Sequence, residues 1–445
     1  MKNTRFLFLL LALALAVRFS PPALASDLSE AEEAVASVLP SEAVSQDGVH
    51  GLSAGSALAS EDALSLDGEA LLLYELTTGT LVYAKNIDQV REPASMTKLM
   101  TCLLALKYGD PYAYVTVTES ALSGLDPAGS SAELRAGEVY SLEQLLYCLM
   151  VQSANDAAAV IAEYISGSQA DFVVLMNQEA QDLGCENTHF ENPHGLHAEG
   201  HVSSARDMAK ILSACLDYEL FSSLYSTSSY PLPATEDREA RTLTSTNYLI
   251  SGAITDEYLD WRVVGGKTGF TTPAGRCVAC VADDGSGYRY LAVVMGAGGT
   301  DSNGNTVYGN FRSASALFDY GFDHFAEQEA LAAETPVEPF SVDCGSGPVE
   351  AHTTESLYSL LPWGFDPAAI SVEAVPTEGL TAPVYEGDMV GQAKVYYGSV
   401  LLGWVSIAAT ADVEYVEPRP PVKDALRGNR AMTGLPKPYP AAMAA

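Results

Sequence analysis

The chain has 445 residues, of which 48% are hydrophobic, and its 57 Asp and Glu against 23 Lys and Arg give a formal net charge of −34. This length allows more than one compact domain, and the hydrophobic content excludes a wholly disordered chain. A surface this acidic repels nucleic-acid phosphates and anionic lipid head groups, so we expect no nucleic-acid partner.

The first 25 residues have the pattern of a secretory signal peptide. Basic residues at positions 2 and 5 precede an apolar run at 6–17, and a small-residue cleavage site follows at 23–25. The apolar run is too short to span a bilayer comfortably. We therefore predict an exported protein, located in the cell envelope (the outer face of the cytoplasmic membrane or the wall) or secreted.

The next segment, 26–67, is rich in Ala and Ser and acidic, with no Lys or Arg between Arg18 and Lys85. Low hydrophobic density with charge of one sign predicts a disordered linker. Order is expected from about Glu69, where a β-hairpin is predicted over 71–84 with Gly79 in its turn.

Helical spacing of apolar residues predicts helices at 93–106, 142–150, 156–165, 169–183 and 205–216. Ser141 and Gln144 form a capping-box pattern before the second of these. Strands are predicted at 263–264, 277–282 and 290–295, and a helix at 313–325. Strands, then helices, then strands again indicate an α/β (α+β) fold over 68–330, in which an antiparallel sheet packs against a helical cluster.

The character of the sequence changes after about residue 335. Short alternating runs separated by Gly-containing turns predict a small all-β domain over 335–416. The last segment, 417–445, is rich in Pro and small residues and has no amphipathic face, so we predict a disordered tail without a strong membrane anchor.

Seven cysteines are scattered along the chain, and two of them, Cys277 and Cys280, form a CxxC pattern. This segment is predicted to be a strand, where positions three apart face opposite sides, which disfavours a shared metal or redox site. We expect buried thiols that act as small hydrophobic groups. The sequence leaves disulfide pairing open.

The first of three short motifs is Ser95-Met-Thr-Lys98, at the start of the predicted helix 93–106. Residues three apart lie on one helix face, so the Lys98 amine can reach the Ser95 hydroxyl. A serine hydroxyl needs a base to become a good nucleophile, and a buried lysine with a lowered pKa can supply it. Taken alone, this pattern also recurs by chance on ordinary helix surfaces.

The second motif, Ser153-Ala-Asn155, lies between two predicted helices. From such a loop the Ser153 hydroxyl can project into a cleft and relay a proton to a leaving amine. The Asn155 amide can hold Lys98 or a substrate carbonyl. A purely structural alternative is that Asn155 caps the next helix.

The third motif, Lys267-Thr268-Gly269, follows Gly265-Gly266 in a predicted turn between strands. Glycines there allow a ligand backbone to approach closely. Lys267 offers a positive charge to a substrate carboxylate, and Thr268 offers a hydroxyl. The alternative for this motif alone is a basic turn.

In this order and these settings, the three motifs resemble those of the penicillin-recognising serine enzymes. Other segments make the chain similar to the low-molecular-mass penicillin-binding proteins, the serine-type D-alanyl-D-alanine carboxypeptidases (S11-like peptidases). These segments are 91–98, 145–157, 192–196, 203–207 and 267–275. The resemblance spans about 69–325, and the predicted β domain fits the family's second domain.

The resemblance implies a two-step acyl transfer on peptidoglycan stem peptides that end in D-Ala-D-Ala. Ser95 would attack the carbonyl between the two D-alanines with Lys98 as general base, and Ser153 would pass the proton to the leaving D-alanine. The backbone N–H groups of Ser95 and Phe270 would form the oxyanion hole, and β-lactam antibiotics would acylate Ser95. The implied substrate-binding residues are Asn155, Lys267, Thr268 and Gly269.

No metal or cofactor is predicted, although one loop is crowded with His189, His194, His197 and His201. Proline and glycines within this loop favour an irregular backbone over a rigid platform for metal ligands. Phe270 stands where some family members carry a histidine directly after Lys-Thr-Gly, so no acid–base role is expected for that side chain.

Three rival functions remain open. A class A-like β-lactamase is disfavoured because no Glu-x-x-Leu-Asn segment lies between Ser153 and Lys267 and because a β domain follows. A DD-endopeptidase, which cuts cross-links within the wall, is compatible with the same residues. A non-catalytic wall-binding module would not need the intact set of serines and lysines.

Overall fold

The computed structural model describes residue 52 and residues 56–236, 238–300 and 306–418. The predicted signal peptide (1–25) therefore lies outside the described residues. So do the predicted linker up to residue 55, except residue 52, and the predicted tail from residue 419 onwards.

Strands and helices follow one another through most of the described chain. The strands are β1 (Ala70–Glu75), β2 (Thr80–Lys85), β3 (Tyr114–Thr116), β4 (Val139–Ser141), β5 (Ser229–Leu232), β6 (Arg241–Thr244), β7 (Val263–Thr271), β8 (Gly275–Asp283), β9 (Arg289–Ala297), β10 (Phe325–Leu331), β11 (Pro336–Phe340), β12 (Val349–Thr353), β13 (Leu357–Pro362), β14 (Ile370–Pro376), β15 (Met389–Tyr397) and β16 (Val400–Ala409). The helices are α1 (Lys98–Tyr108), α2 (Glu119–Leu122), α3 (Leu142–Met150), α4 (Asn155–Ser166), α5 (Gln169–Asp182), α6 (Ala205–Leu216), α7 (Glu219–Ser226) and α8 (Gly309–His324).

The central element is a five-stranded antiparallel sheet with the order β2-β1-β9-β8-β7. It combines the predicted β1–β2 hairpin, with Gly79 in a left-handed turn conformation, and the three strands predicted near Lys267. The predicted antiparallel sheet with a helical cluster is confirmed. The capping box at the start of α3 is also confirmed, because Ser141 and Gln144 exchange both hydrogen bonds.

Two hydrophobic cores lie on opposite faces of this sheet. Alternation along β1 sends Leu72 to the core shared with the helical cluster, and Leu71 and Leu73 to the core shared with α8. Each fully buried leucine side chain stabilises the folded state by about 1.5–3 kcal/mol relative to an exposed one. Cys277 and Cys280 likewise lie on opposite faces of β8, as predicted, and six of the seven cysteines are buried free thiols.

The predicted linker is wrong for residues 56–67. Leu58 and Ala59 donate backbone hydrogen bonds to β2, and the Tyr83 hydroxyl donates to the carbonyl of Glu61. The Gly298 backbone N–H is shared between the two carboxylate oxygens of Asp67. Hydrogen bonds to β2 and to Gly298 therefore hold this segment, and composition alone does not reveal such long-range contacts.

The C-terminal strands form a separate five-stranded sheet with the order β11-β12-β16-β15-β14, in the region predicted to be all-β. The sequence predicts that the peptidase domain ends at residue 330 and that the β domain begins at residue 335. β10 already pairs with β13 of this region, because the chain leaves α8 directly into a strand at Phe325.

Candidate active site

An open cleft of about 540 Å³ lies between β7 and the helical cluster. All the residues that line it fall between Ser95 and Phe311, so the C-terminal sheet contributes none of them. The cleft brings together residues of all three sequence motifs, namely Ser95, Ser153, Asn155, Thr268 and Gly269, and the adjacent Phe270.

Ser95 lies in a short 3-10 turn, Ala94–Thr97, that leads directly into α1. The residue before it, Ala94, has a left-handed backbone with φ of 48°, which is uncommon for a residue with a side chain. The Ser95 Oγ atom lies 3.0 Å from Lys98 Nζ. The predicted contact between the serine and the lysine three residues on is therefore present.

Lys98 is fully buried and lies at the centre of the site. Besides Ser95, its Nζ atom contacts Asn155 Oδ1 at 2.7 Å and the carbonyl of His194 at 2.6 Å. Burial holds the pKa of Lys98 well below its usual value, and the nearby charge of Lys267 lowers the pKa further.

The second motif lies at the break between α3 and α4, as predicted. Ser153 has φ of 59°, so the chain turns sharply there and aims the hydroxyl at Lys267, whose Nζ atom donates a hydrogen bond to it at 2.8 Å. Asn155 is the first residue of α4, and its side chain contacts Lys98. The structural alternative was that Asn155 only caps the helix, and a cap alone would not explain its contact with Lys98.

The third motif lies inside β7, so the prediction that it forms a turn is wrong. Residues 267–271 continue the ladder and pair with β8 from Ala279 to Gly275. Two adjacent glycines made a turn the natural prediction, but here they allow close packing. A Cβ atom on Gly266 would lie 2.5 Å from the Cys280 side chain, and one on Gly265 would lie 2.5 Å from the Tyr225 carbonyl.

Lys267 is buried, and burial lowers its pKa to about 7. Its Nζ atom donates to Ser153 and to the carbonyl of Thr268. The Thr268 hydroxyl lies 2.6 Å from that of Thr246. The sequence interpretation missed Thr246, because its position before β7 carries no motif.

Arg276 is a second residue that the sequence interpretation missed. It pairs with Phe270 across β7 and β8, and its guanidinium lies 5.1 Å from the Phe270 ring and 4.1 Å from the Tyr308 ring. It lines the same cleft as Thr268. Hairpin register would have placed an arginine opposite Phe270 if the third motif had been predicted as a strand.

Asp156, directly after Asn155, ties the wall of the cleft to α4. Its buried carboxylate accepts hydrogen bonds from the Ser131 hydroxyl and from the backbone N–H groups of Ala132 and Leu134. The Asn155 backbone N–H donates to the carbonyl of Ser130 in the same loop. The loop and the second motif are therefore held as one unit.

Comparison with known proteins gives a consistent result. Residues 57–299 match the family model of the S11 peptidases, described as D-alanyl-D-alanine carboxypeptidase. The chain is 31% identical over 357 residues to D-alanyl-D-alanine carboxypeptidase DacF of Bacillus subtilis, covering 79% of this chain and 87% of the relative. It is 32% identical over 335 residues to DacD of Escherichia coli, covering 73% and 81%.

The chain belongs to the S11 family of serine-type D-alanyl-D-alanine carboxypeptidases. The fold agrees with this membership. Penicillin binding protein 5 from Haemophilus influenzae matches with a TM-score of 0.59 at 27% identity, covering 80% of this chain and all of that chain. Penicillin binding protein 6B from Escherichia coli matches with a TM-score of 0.58 at 28% identity, covering 79% and 98%.

In this S11 peptidase the loop histidines contact different partners. His197 pairs with Glu92, and His189 with Glu191, whereas the ring of His201 lies against Thr97. Among the residues that the structure describes, no group of three or more His, Cys, Asp or Glu side chains is arranged to hold a metal ion.

The helices of the described ranges were also compared with the requirements of a membrane span. None of them is by itself long and apolar enough to cross a bilayer. The bent pair α4 and α5 passes on length and composition together, which is weak evidence because residues 155–162 are buried in the helical cluster.

Proposed function

We propose that this S11 peptidase removes the terminal D-alanine from peptidoglycan stem peptides through an acyl-enzyme on Ser95. The observation that carries the proposal is the buried Lys98 amine, 3.0 Å from Ser95 Oγ, with a strongly lowered pKa. A lysine in this state is a base beside a nucleophile.

The contacts of Lys98 suit the neutral amine. A neutral amine has two N–H donors and one lone pair. Two of the three contacts, the Asn155 side-chain oxygen and the His194 carbonyl, can only accept hydrogen bonds. The lone pair then faces the Ser95 hydroxyl, which donates its proton to Lys98 as the oxygen attacks the substrate carbonyl.

The oxyanion hole is proposed to consist of the backbone N–H groups of Ser95 and Phe270. Gly269 supports this assignment, because a Cβ atom there would lie 3.1 Å from Ser95 N and 2.8 Å from the Pro93 carbonyl. Only glycine lets β7 approach the nucleophile turn this closely. Each donor of such a hole is worth about 3–4 kcal/mol of transition-state stabilisation.

Departure of D-alanine requires a proton at its amine. Ser153 is proposed to deliver it, since its hydroxyl lies in the cleft and is hydrogen-bonded to Lys267 at 2.8 Å. Water then attacks the acyl-enzyme, the ester bond to Ser95 breaks, and the shortened peptide leaves with a free carboxylate.

The terminal carboxylate of the substrate is proposed to bind beside Lys267 and Thr268, with Asn155 at a substrate carbonyl. Arg276 also lines the cleft and adds positive charge to it. β-Lactams carry a carboxylate and a reactive amide with the same spacing, so they would acylate Ser95 and be held by the same groups.

We also propose that the protein acts outside the cytoplasmic membrane, where its substrate lies. The basic and apolar pattern of residues 1–25 supports export. The predicted division into a peptidase domain and a C-terminal β domain stays a proposal, with the boundary moved to about Phe325.

The test is D-alanine release from diacetyl-Lys-D-Ala-D-Ala by the purified protein and by Ser95→Ala. Release that disappears in the variant supports the proposal. Well-folded protein without release contradicts it. One relative, matching 46% of this chain at 31% identity, is a D-alanyl-D-alanine endopeptidase from Pseudomonas aeruginosa. A cross-linked dimer peptide should therefore be assayed in parallel, and cleavage of the dimer alone would favour the endopeptidase.

A further inference from the structure

A hydrogen-bonded chain leads from the histidine loop to the residue before the nucleophile. It begins at the backbone N–H of Glu191, which donates to His201 Nδ1 at 3.0 Å. His201 Nε2 lies 2.8 Å from Thr97 Oγ1. The Thr97 hydroxyl in turn donates to the Ala94 carbonyl at 2.8 Å.

The direction of this chain follows from counting protons. His201 Nδ1 accepts from a backbone N–H, so it carries no proton. Nε2 then carries the ring proton and donates to Thr97, whose single hydroxyl proton goes to Ala94. Both side chains are buried, Thr97 fully and His201 with 2% exposed, and buried polar groups need such partners.

The end of the chain lies at a strained point of the backbone. Ala94 is in the left-handed region, a conformation that persists only where the surrounding structure holds it. Gly195 packs against the same carbonyl, since a Cβ atom there would lie 2.0 Å from the Ala94 oxygen. Ser95 follows directly, so a change at Ala94 moves both its hydroxyl and its backbone N–H.

We propose that Thr97 and His201 are positioning residues that hold the Ala94–Ser95 turn in the conformation needed for acylation. The inference rests on the proposed role of Ser95. Neither side chain lines the cleft, so both act through the Ala94 carbonyl. The motif Ser95-x-Thr97-Lys98 thus contains a supporting threonine between its nucleophile and its base.

The surroundings of His201 favour the neutral ring that the chain requires. Burial lowers the pKa of His201 to about 4. A proton on Nδ1 would also point at the Glu191 N–H. The ring therefore keeps a single tautomer across the neutral pH range.

The first test compares Thr97→Val with Thr97→Ser in the full-length protein. Valine keeps the shape and removes the hydroxyl, whereas serine keeps the hydroxyl. We expect the second-order rate constant for acylation by benzylpenicillin to fall about 10- to 100-fold in Thr97→Val, and to stay within about threefold of wild type in Thr97→Ser. Thr353→Val is the matched control, because it removes an equally buried threonine hydroxyl in the β domain.

The second test exchanges the histidine. Gln at position 201 can still donate to Thr97, whereas Phe cannot. We expect His201→Gln to acylate at least about fivefold faster than His201→Phe, with similar thermal unfolding temperatures.

The outcomes separate this inference from the proposed function. If wild type reacts and Thr97→Val reacts equally fast with only a lower unfolding temperature, the two residues are merely structural and the inference is overturned. If wild type neither reacts with benzylpenicillin nor releases D-alanine, the role of Ser95 fails and the inference fails with it.

Discussion

The peptidase part and the C-terminal β part differ in whether they bury charged side chains. Among the described residues, every buried charged side chain lies at or before Lys267. Beyond Phe325 the buried polar side chains of the described chain are Thr353 and Ser359, in a core otherwise made of residues such as Val395 and Ile407.

This difference distinguishes burial that only packs a core from burial that prepares charged groups for a reaction. Burying a charge costs several kcal/mol unless it is paired and hydrogen-bonded, and apolar packing needs no such charge. The peptidase part nevertheless buries Lys98 and Lys267 in one site, where burial itself lowers both pKa values. Variants of buried groups in the two parts should therefore fail in different ways.

The largest expected effect is at the proposed base. Lys98→Met removes the amine beside Ser95 and should lower the acylation rate constant for benzylpenicillin by about 10²- to 10⁴-fold. Stopped-flow acylation measures it, with thermal unfolding to verify folding. The matched control is Lys394→Met in the β domain, whose ammonium lies over the Trp404 ring. A Lys98→Met protein with half the wild-type rate would refute the assignment.

The next largest expected effect is a pH dependence of kcat/KM for the peptide. Because the pKa of Lys267 is lowered to about 7, its ammonium loses the proton as pH rises through 7. We expect kcat/KM for the peptide to fall toward tenfold per pH unit above that value. Lys267→Arg keeps a cation that does not titrate, so its profile should lack this descending limb. An unchanged limb in the variant would assign it to another group.

A smaller effect concerns the wall of the cleft. Asp156→Asn replaces an acceptor-only oxygen by an N–H donor facing Ser131 and Leu134, and should cost about 3 kcal/mol of unfolding free energy. We also expect acylation to slow up to about tenfold, because the loop beside Asn155 loosens.

The control for the cleft wall is Asp207→Asn. Its carboxylate is equally buried and accepts from Asn187 and Thr188, away from the cleft. Urea unfolding and acylation should be measured for both variants. Equal slowing of acylation in the two would argue against a specific role for Asp156.

The smallest effect is expected in the β domain. Ile407→Val, in its core, should cost about 1 kcal/mol of unfolding free energy and leave the acylation rate unchanged. A rate that falls with this substitution would mean that the β domain supports the cleft, and the contrast between the two parts would have to be given up.

Local sequence predicted most elements of the fold. The helices at 142–150 and 205–216 begin and end at the predicted residues, because their apolar spacing and the Ser141 cap are short-range properties. Hairpin β5–β6 and helix α7 were not predicted, since neither has a long periodic pattern. Residues 56–67 were misjudged because their hydrogen-bond partners lie in another strand.

The three motifs were sufficient to identify the candidate site, because a nucleophile, a base and a carboxylate-binding cation must each be present as a residue type. The sequence alone could not show that Lys267 lies inside a strand, or that Arg276 and Thr246 line the same cleft as Thr268. Those contacts depend on sheet register and on packing between distant segments.

The sequence by itself determined the chemical groups, their order along the chain and the periodicities that place them on helices and strands. Only the tertiary structure decided their reactivity. Lys98 and Asn155 are 57 positions apart, and Ser153 and Lys267 are 114 apart. A lysine becomes a base when surrounding segments exclude water from it, and a strained Ala94 persists when Thr97, held in turn by the distant His201, binds its carbonyl. Both are properties of the folded chain.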